Sequence, residues 1–246
     1  MSKIITYVKN ILETGTVTVS PVENASYPAY RLYDRHIGRS FKFGSIVNPS
    51  TIVVDQGATG NIEIDTIIIP NGHNLDGLVL TLSHSPDNNA WTQADQWTQS
   101  GSGAIQRTFT AITKRYWKLS IASPSAAPAL YELFLTKSYT WGRNPEEIDR
   151  GVYSEFNILR LQDSGGRPRF IEMGSSRKYR EYSLYKINDT HRTAIEDLND
   201  NWAGKKPFWL KDPDSVLIYG ELIETLGFKR SGDFADTPFK FLEVPQ

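Results

Sequence analysis

The stretch Ile64-Asp-Thr-Ile-Ile-Ile-Pro-Asn-Gly-His-Asn-Leu-Asp-Gly-Leu78-Val-Leu-Thr-Leu-Ser-His-Ser-Pro-Asp-Asn-Asn-Ala-Trp91 decides the fold. Ile67, Ile68 and Ile69 form a β-branched run stopped by Pro70, the pattern of a buried strand with a hard end. Pro70-Asn-Gly and Asn74 to Gly77 are turn chemistry on both sides of His73. Leu78, Leu80 and Leu82 then alternate with Val79, Thr81 and Ser83, which puts one side of a second strand inward. Ser85-Pro-Asp-Asn-Asn makes another tight turn before Trp91. The reading is strand, loop, strand, turn.

Working outward, more strands follow on both sides. Thr16 to Ser20, Phe41 with Phe43, Ile52 to Val54, Thr108 to Ile112, Tyr116 to Ile121 and Leu130 to Leu135 all carry short β patterns. Thr108–Ile112 and Tyr116–Ile121 read as a strand pair. Asn88 to Gly103 reads as irregular, with Trp91 and Trp97 at or near the surface. In residues 1–15, Ile4, Ile5, Val8, Ile11 and Leu12 have helix-like spacing, with Gly15 as the stop. Eight or so strands with no helix between them predict a sandwich or jelly roll.

Past residue 137 the pattern changes. Trp141-Gly-Arg-Asn-Pro-Glu-Glu is linker-like. Phe156–Gln162 and Pro168–Met173 flank Asp163-Ser-Gly-Gly, a hairpin signal. Tyr179–Ile187 is a further strand. Asp189 then starts a helix with Ala194, Ile195, Leu198 and Trp202 on one face and Gly204 as its stop. Pro207-Phe-Trp-Leu210, Val216–Phe228 (bent at Gly220 or Gly227) and Phe239–Val244 complete it. The fold class is therefore mostly β: an N-terminal jelly-roll β-sandwich with an N-terminal extension over 1–137, a linker at 138–150, and a smaller α+β domain with one main helix at 151–246.

Composition narrows function. Of 246 residues, 27 are Lys or Arg and 28 are Asp or Glu. Residues 1–138 hold 11 basic and 10 acidic groups and residues 139–246 hold 16 and 18, which sum to those totals. A nucleic-acid binder shows a basic excess, because phosphate contacts dominate its affinity. Cysteine is absent, so disulfides and Cys-ligated metals are excluded. The N-terminus lacks the apolar core of a signal peptide, and no run approaches the roughly 20 apolar residues that span a bilayer. A soluble protein synthesised in a bacterial cytoplasm is expected.

No nucleophile or phosphate-loop motif stands out. His36, His73, His84 and His191 are scattered without zinc-ligand spacing, so no metal and no cofactor are expected. His73, in its turn, suits hydrogen bonding to loop backbone. Asp212 with Asp214, and Glu221 with Glu224, are carboxylate pairs with nothing to place them across a cleft. Arg177-Lys-Tyr-Arg-Glu-Tyr-Ser-Leu-Tyr-Lys186 interleaves bases and aromatics, as single-strand readers do. A strand with one solvated face accounts for it without nucleic acid. Tyr27, Tyr30, Tyr33, Trp91 and Trp97 lie in polar, turn-rich surroundings, where aromatic platforms suit sugars.

The Ile64–Trp91 stretch resembles the discoidin-type, galactose-binding-like jelly roll: an inner strand, the Gly-His-Asn-Leu loop, a strand ending in Ser, then Ser-x-Asp before Trp. Tyr27-Pro-Ala-Tyr-Arg-Leu-Tyr-Asp34, Ile52-Val-Val-Asp-Gln-Gly57 and Arg115-Tyr-Trp-Lys-Leu-Ser-Ile121 agree in order and spacing, so the resemblance covers residues 16–137. It implies a shallow ligand cleft in the loops at one end of the sandwich, with Tyr27, Asp34, Arg35, His36, Arg39 and Trp91 as candidate ligand-binding residues. The same resemblance allows Tyr33 and Trp91 to fill the core edge instead. Residues 151–246 resemble, in strand order, a tail-tube-like β-sandwich of phage minor tail proteins. The combined expectation is a phage or prophage tail component of the virion. It would bind a partner or a surface glycan through the jelly roll and self-associate through residues 151–246, by an edge strand at Phe239–Val244 and apolar surface around Trp202, Phe208 and Trp209. Neither nucleic acid nor membrane insertion is expected. The alternative is a bacterial carbohydrate-binding module protein without catalytic activity. An enzyme would need two carboxylates converging in one cleft.

Overall fold

The computed structural model describes residues 3–58, 61–141, 150–155, 158–162, 168–172, 177–187, 189–202, 205–223, 229–231 and 234–244. Most of the linker, the Asp163–Gly166 hairpin tip, and the Gly204 and Gly227 signals lie outside them. The protein is mostly β with a single α-helix among the described residues. It divides into two compact units: residues 7–138, and residues 1–6 together with 139–245.

The chain opens with strand β1 (Ile5–Tyr7) and a 3-10 turn at Ile11–Glu13, in the stretch whose apolar spacing is helix-like but ambiguous. The apolar spacing there is real, but it serves two different cores. Ile4 and Thr6 stand beside Trp141, whose backbone N–H donates to the Ile4 carbonyl at 2.9 Å and whose indole N–H donates to the Thr6 hydroxyl at 3.2 Å. Ile11 and Leu12 enter the jelly-roll core. The N-terminal extension thus contributes a strand to the sheet of the other unit.

The jelly roll is built from β2 (Thr16–Ser20), β3 (Phe41–Lys42), β4 (Ser50–Asp55), β5 (Glu63–Ile69), β6 (Val79–Ser85), β7 (Thr92–Thr98), β8 (Ile105–Thr113), β9 (Tyr116–Ala122), β10 (Ala129–Leu130) and β11 (Phe134–Thr136). One sheet has the order β2-β4-β9-β6-β7; another has β11-β5-β8; β10 pairs with β3. The two strands of the Ile64–Trp91 stretch therefore lie in different sheets, and the loop through His73 carries the chain across the core. For the same reason β8 and β9 are not a pair: β8 bonds to β5, and β9 sits between β4 and β6. The expected irregular segment Asn88–Gly103 contains β7, paired to β6, and Trp97 turns inward to the core. Its exposed Gln96 and Thr98 face outward, and Asp95, on the Trp97 side opposite Leu82, is polar as well, which hid the periodicity of this edge strand. In β9, Trp117, Leu119 and Ile121 point in, while Tyr116, Lys118 and Ser120 point out. Trp117 meets Phe109 of β8 at 5.8 Å between ring centroids and so packs the two sheets together.

The other unit holds an eight-stranded sheet. After β12 (Ser138–Thr140) and β13 (Arg150–Glu155), the hairpin β14 (Ile158–Gln162) and β15 (Pro168–Glu172) forms a separate two-stranded sheet. The large sheet is completed by β16 (Arg177–Ile187), β17 (Phe208–Lys211), β18 (Leu217–Leu222), β19 (Lys229–Ser231) and β20 (Phe234–Glu243), in the order β12-β1-β17-β18-β20-β16-β13, with β19 on β20. Helix α1 spans Asp189–Trp202 and buries Ile195 and Leu198. Gly220 lies in mid-strand because β20 crosses so closely that a Cβ there would collide with the Leu242 carbonyl.

Two expectations are corrected here. The terminal strand is not at an edge: β20 lies between β18 and β16. Phe208 and Trp209 are fully buried, packed against Phe241 and Tyr219 at 5.1 and 4.9 Å between centroids, so they provide no spare apolar face. The basic-aromatic segment is a strand, as expected, with Arg177 and Lys178 exposed and other side chains used within the unit. Tyr182 is buried, Tyr179 stacks on Tyr153, and Arg180 bonds Asp212 and Glu243, each at 2.8 Å. Asp212 is 2% exposed and also accepts from the Val216 N–H at 2.8 Å.

Removing one partner of a buried ion pair leaves a desolvated charge, which costs about 3 kcal/mol or more. Arg180→Met should therefore lower the calorimetric transition of this unit by roughly 10 °C. An unchanged transition would show that the Arg180 network contributes nothing net.

Candidate functional site

The antiparallel registers define the two ends of the sandwich. Thr16, Asp55, Tyr116 and Ser85 stand in one row; Ser20 and Thr51 close the opposite end, with Val79 and Ala122 beyond them. The four-residue step from Thr51 to Asp55 separates these rows by roughly 13 Å. Tyr27 belongs to the Ser20 end. Its carbonyl accepts from the Lys42 N–H at 3.2 Å, Lys42 pairs with Ala129, and the Ala129 carbonyl accepts from the Asn74 N–H at 3.4 Å. Trp91 follows the turn after Ser85, so it lies at the other end. The structure does not bring Tyr27 and Trp91 into one cleft.

At the Tyr27 end, a 3-10 turn at Ala29–Leu32 presents two aromatic rings to solvent: Tyr27 is 39% exposed and Tyr30 is 49% exposed. The segment is fixed by its own polar groups. The Asn24 carbonyl accepts from the Tyr27 N–H at 2.8 Å, and its side-chain oxygen accepts from the Ser26 N–H at 3.0 Å. The Glu23 carboxylate accepts from the Ala29 N–H at 2.6 Å, which satisfies a donor at the start of the turn. Arg31 donates to the Ser40 carbonyl at 3.1 Å and sets its guanidinium 5.7 Å from the Tyr27 ring centroid. Arg31 was not among the expected site residues. A cation directly after Tyr30 in an aromatic loop is the signal that points to it.

The neighbouring loop is equally rigid. The Asn74 side chain bonds the Ala127 carbonyl and the Ala129 N–H at 3.0 and 2.6 Å. His73 is buried; its Nδ1 accepts from the Leu75 N–H at 3.3 Å, which leaves Nε2 to donate to the Gly103 carbonyl at 2.9 Å. Burial lowers its pKa, which keeps this neutral tautomer in place. His73 is therefore a loop strut, as its turn position suggested. Gly72, at φ +88°, sits against the Tyr131 ring where a Cβ would collide. Val22, Ile46 and Val47 add exposed apolar side chains.

The remaining expected residues divide. Asp34 is used locally, accepting from the His36 N–H at 2.9 Å; His36 and Arg39 are exposed. Arg35 is corrected from ligand contact to internal strut. Its side chain is 6% exposed, bonds Glu13 and the Val8 carbonyl, and lies over the Phe134 ring at 5.3 Å. It adopts φ +59°, unusual for a side chain of its size, and its N–H donates to Glu132 at 3.3 Å. Glu132 is fully buried. Burial first, then the nearby Asp34 charge, pushes its carboxyl well above the usual range against the opposing pull of the Arg35 N–H and guanidinium; the Glu13 charge also raises it. Among the described residues no group of three His, Asp or Glu side chains is placed to hold a metal, and no helix is long and apolar enough to cross a membrane.

A raised carboxyl pKa stabilises the folded state fully below the unfolded value, near pH 4.5, and this contribution is lost as pH rises through the folded value. Glu132→Gln should therefore flatten the fall of the melting temperature between acid and neutral pH relative to the wild type. Parallel pH profiles for the two proteins would contradict an upward shift of the Glu132 carboxyl in the fold.

Comparison with protein-family models gives no match, and neither does comparison with curated proteins. Several solved structures overlap about half of the chain. Chitosan-binding module 1 of a chitosanase/glucanase from Paenibacillus sp. IK-5 shares 22% identity, with 52% of this chain and 99% of that one covered and a TM-score of 0.46. A Clostridium perfringens module solved with GalNAc-β-1,3-galactose shares 15% identity over 51% and 96%, with a TM-score of 0.43. A Ruminococcus gnavus fucosidase shares 18% identity over 53% of this chain and 27% of that one, with a TM-score of 0.46. Likeness at this level assigns no ligand to the present chain.

Proposed function

We propose that the jelly roll binds a saccharide at the loop end formed by residues 21–33, 43–49 and 70–78. One observation carries the reading: Tyr27 and Tyr30 present two exposed rings from a segment locked by Asn24 and Glu23, with the Arg31 guanidinium beside the Tyr27 ring. Sugars have apolar C–H faces that lie on aromatic rings and hydroxyl edges that need fixed donors and acceptors. Rings held in place before binding lose little conformational entropy when a ligand arrives.

For self-association through residues 151–246, two of the features that suggested it are used inside the protein itself. The terminal strand is central in its sheet, and Phe208 and Trp209 pack within their own unit. Saccharide binding by the jelly roll is accordingly the reading favoured here.

The test is affinity electrophoresis and a glycan array with the full chain. A subset of neutral glycans should bind, and Tyr27→Ala with Tyr30→Ala should weaken the best of them by about tenfold per ring, the value of one aromatic contact. No binding by the wild type, or equal binding by the double variant, would contradict the proposal.

A further inference from the structure

The opposite end of the sandwich has its own arrangement of charge. In the jelly roll, Arg35 pairs with Glu13, Arg107 with Asp95, Arg115 with Asp55, and Lys137 with Glu63 and Asp65. Lys118 has no carboxylate within ion-pair distance among the described residues. It is nevertheless held in one place, its Nζ standing 4.0 Å from the centroid of the Trp91 indole. Burial lowers its pKa, and no neighbouring charge opposes that shift. A cation that has given up part of its hydration for a ring face, without a counter-ion, is a point where an anion gains more than it would at a free surface lysine.

The surroundings specify the rest of the ligand. Lys118 projects from the outer face of β9, where it pairs with Val53 on one side and Ser83 on the other. One step along the sheet, roughly 7 Å away, Thr51, Ser120 and Thr81 form a row across three strands. Gln96 donates to the Thr81 hydroxyl at 3.0 Å. Hydroxyl side chains both donate and accept, which suits the hydroxyls of a sugar chain. A step the other way, Tyr116 carries the Arg115 guanidinium at 4.7 Å, already neutralised by Asp55 through contacts of 2.7 and 2.9 Å. The two cation–ring pairs of this end therefore differ in one respect: one has its anion within the protein and the other does not.

We infer that Trp91 and Lys118 form a second saccharide subsite, on the outer face of the five-stranded sheet, which takes an anionic sugar group. The acidic group sits on the Lys118 ammonium, and the attached ring lies across the row of Thr51, Ser120 and Thr81. The site lies on the outer face of the sheet, running from Trp91 toward the row that contains Thr51, and its ammonium contact stands whether or not the Tyr27 loop binds neutral glycans.

The test titrates the full chain with polygalacturonate oligomers and, in a second arm, with sulfated dextran, read by tryptophan fluorescence. Neutral dextran is the control. Saturable binding of either acidic probe, weakening as salt is raised, is expected, and the two arms tell a carboxylate from a sulfate ligand. Lys118→Met keeps the stem on the indole and removes the charge; it should lose binding by tenfold or more. Lys118→Arg should restore most of it, and Tyr27→Ala should leave it unchanged. Absence of saturable binding in both arms, equal binding of neutral dextran, or wild-type affinity in Lys118→Met would overturn the inference.

Discussion

The side chain of Asn10 closes the sandwich. Buried at the start of the first 3-10 turn, it accepts from the N–H groups of Leu12 and Leu135, each at 3.2 Å, and donates to the Leu133 carbonyl at 2.8 Å. Those bonds join segments more than 120 residues apart. Among the described residues strand β11 pairs with β5 alone in its sheet, so Asn10 satisfies backbone groups that a further strand would otherwise take. An amide can do this because it carries both donor and acceptor. From that closure the loops take their positions. The Leu133 N–H donates to the Leu32 carbonyl at 2.9 Å, which fixes the turn bearing Tyr30; Glu132 beside it receives the Arg35 N–H. The presentation of the aromatic rings is thus a consequence of how the first and last segments of the jelly roll meet.

Much of the jelly roll was legible. Alternation in Leu78–Leu82 and Tyr116–Ile121 reports strands with one buried face, and both exist. Which strands neighbour each other was not legible, because periodicity describes a face and says nothing of the partner. β5 and β6 are joined by a loop yet lie in different sheets, and a crossing loop has the same turn residues as a hairpin. β7 was missed because its outer residues, such as Gln93 and Gln96, read as a loop. The terminal strand read as a possible edge because it is the last element, with charges that would protect an edge only in part. In the sheet those charges have uses: Lys240 pairs with Glu181 at 3.1 Å and Glu243 with Arg180.

Exposure was legible in the sequence, and the grouping of the side chains was not. Exposed aromatics in turn-rich sequence are a surface signal, and Tyr27 and Tyr30 bear that out as exposed rings. Grouping them with Arg35 and Trp91 required knowing which loops share an end. Sequence proximity placed Arg35 beside Asp34 and His36, but its long side chain turns inward to Glu13, 22 residues away. A guanidinium can satisfy its charge in either direction, and only packing decides which.

The proposed saccharide binding depends on the pre-ordered aromatic end of the sandwich that carries Tyr27 and Tyr30. The most direct measurement is the backbone amide spectrum of the isotopically labelled full chain during titration with the best-binding neutral oligosaccharide. Shifts should concentrate in Asn24–Tyr33 and Asn71–Asn74 and leave the amides of α1 and β20 unmoved. Shifts confined to the second unit, or spread evenly with no maximum near Tyr27 and Tyr30, would contradict it.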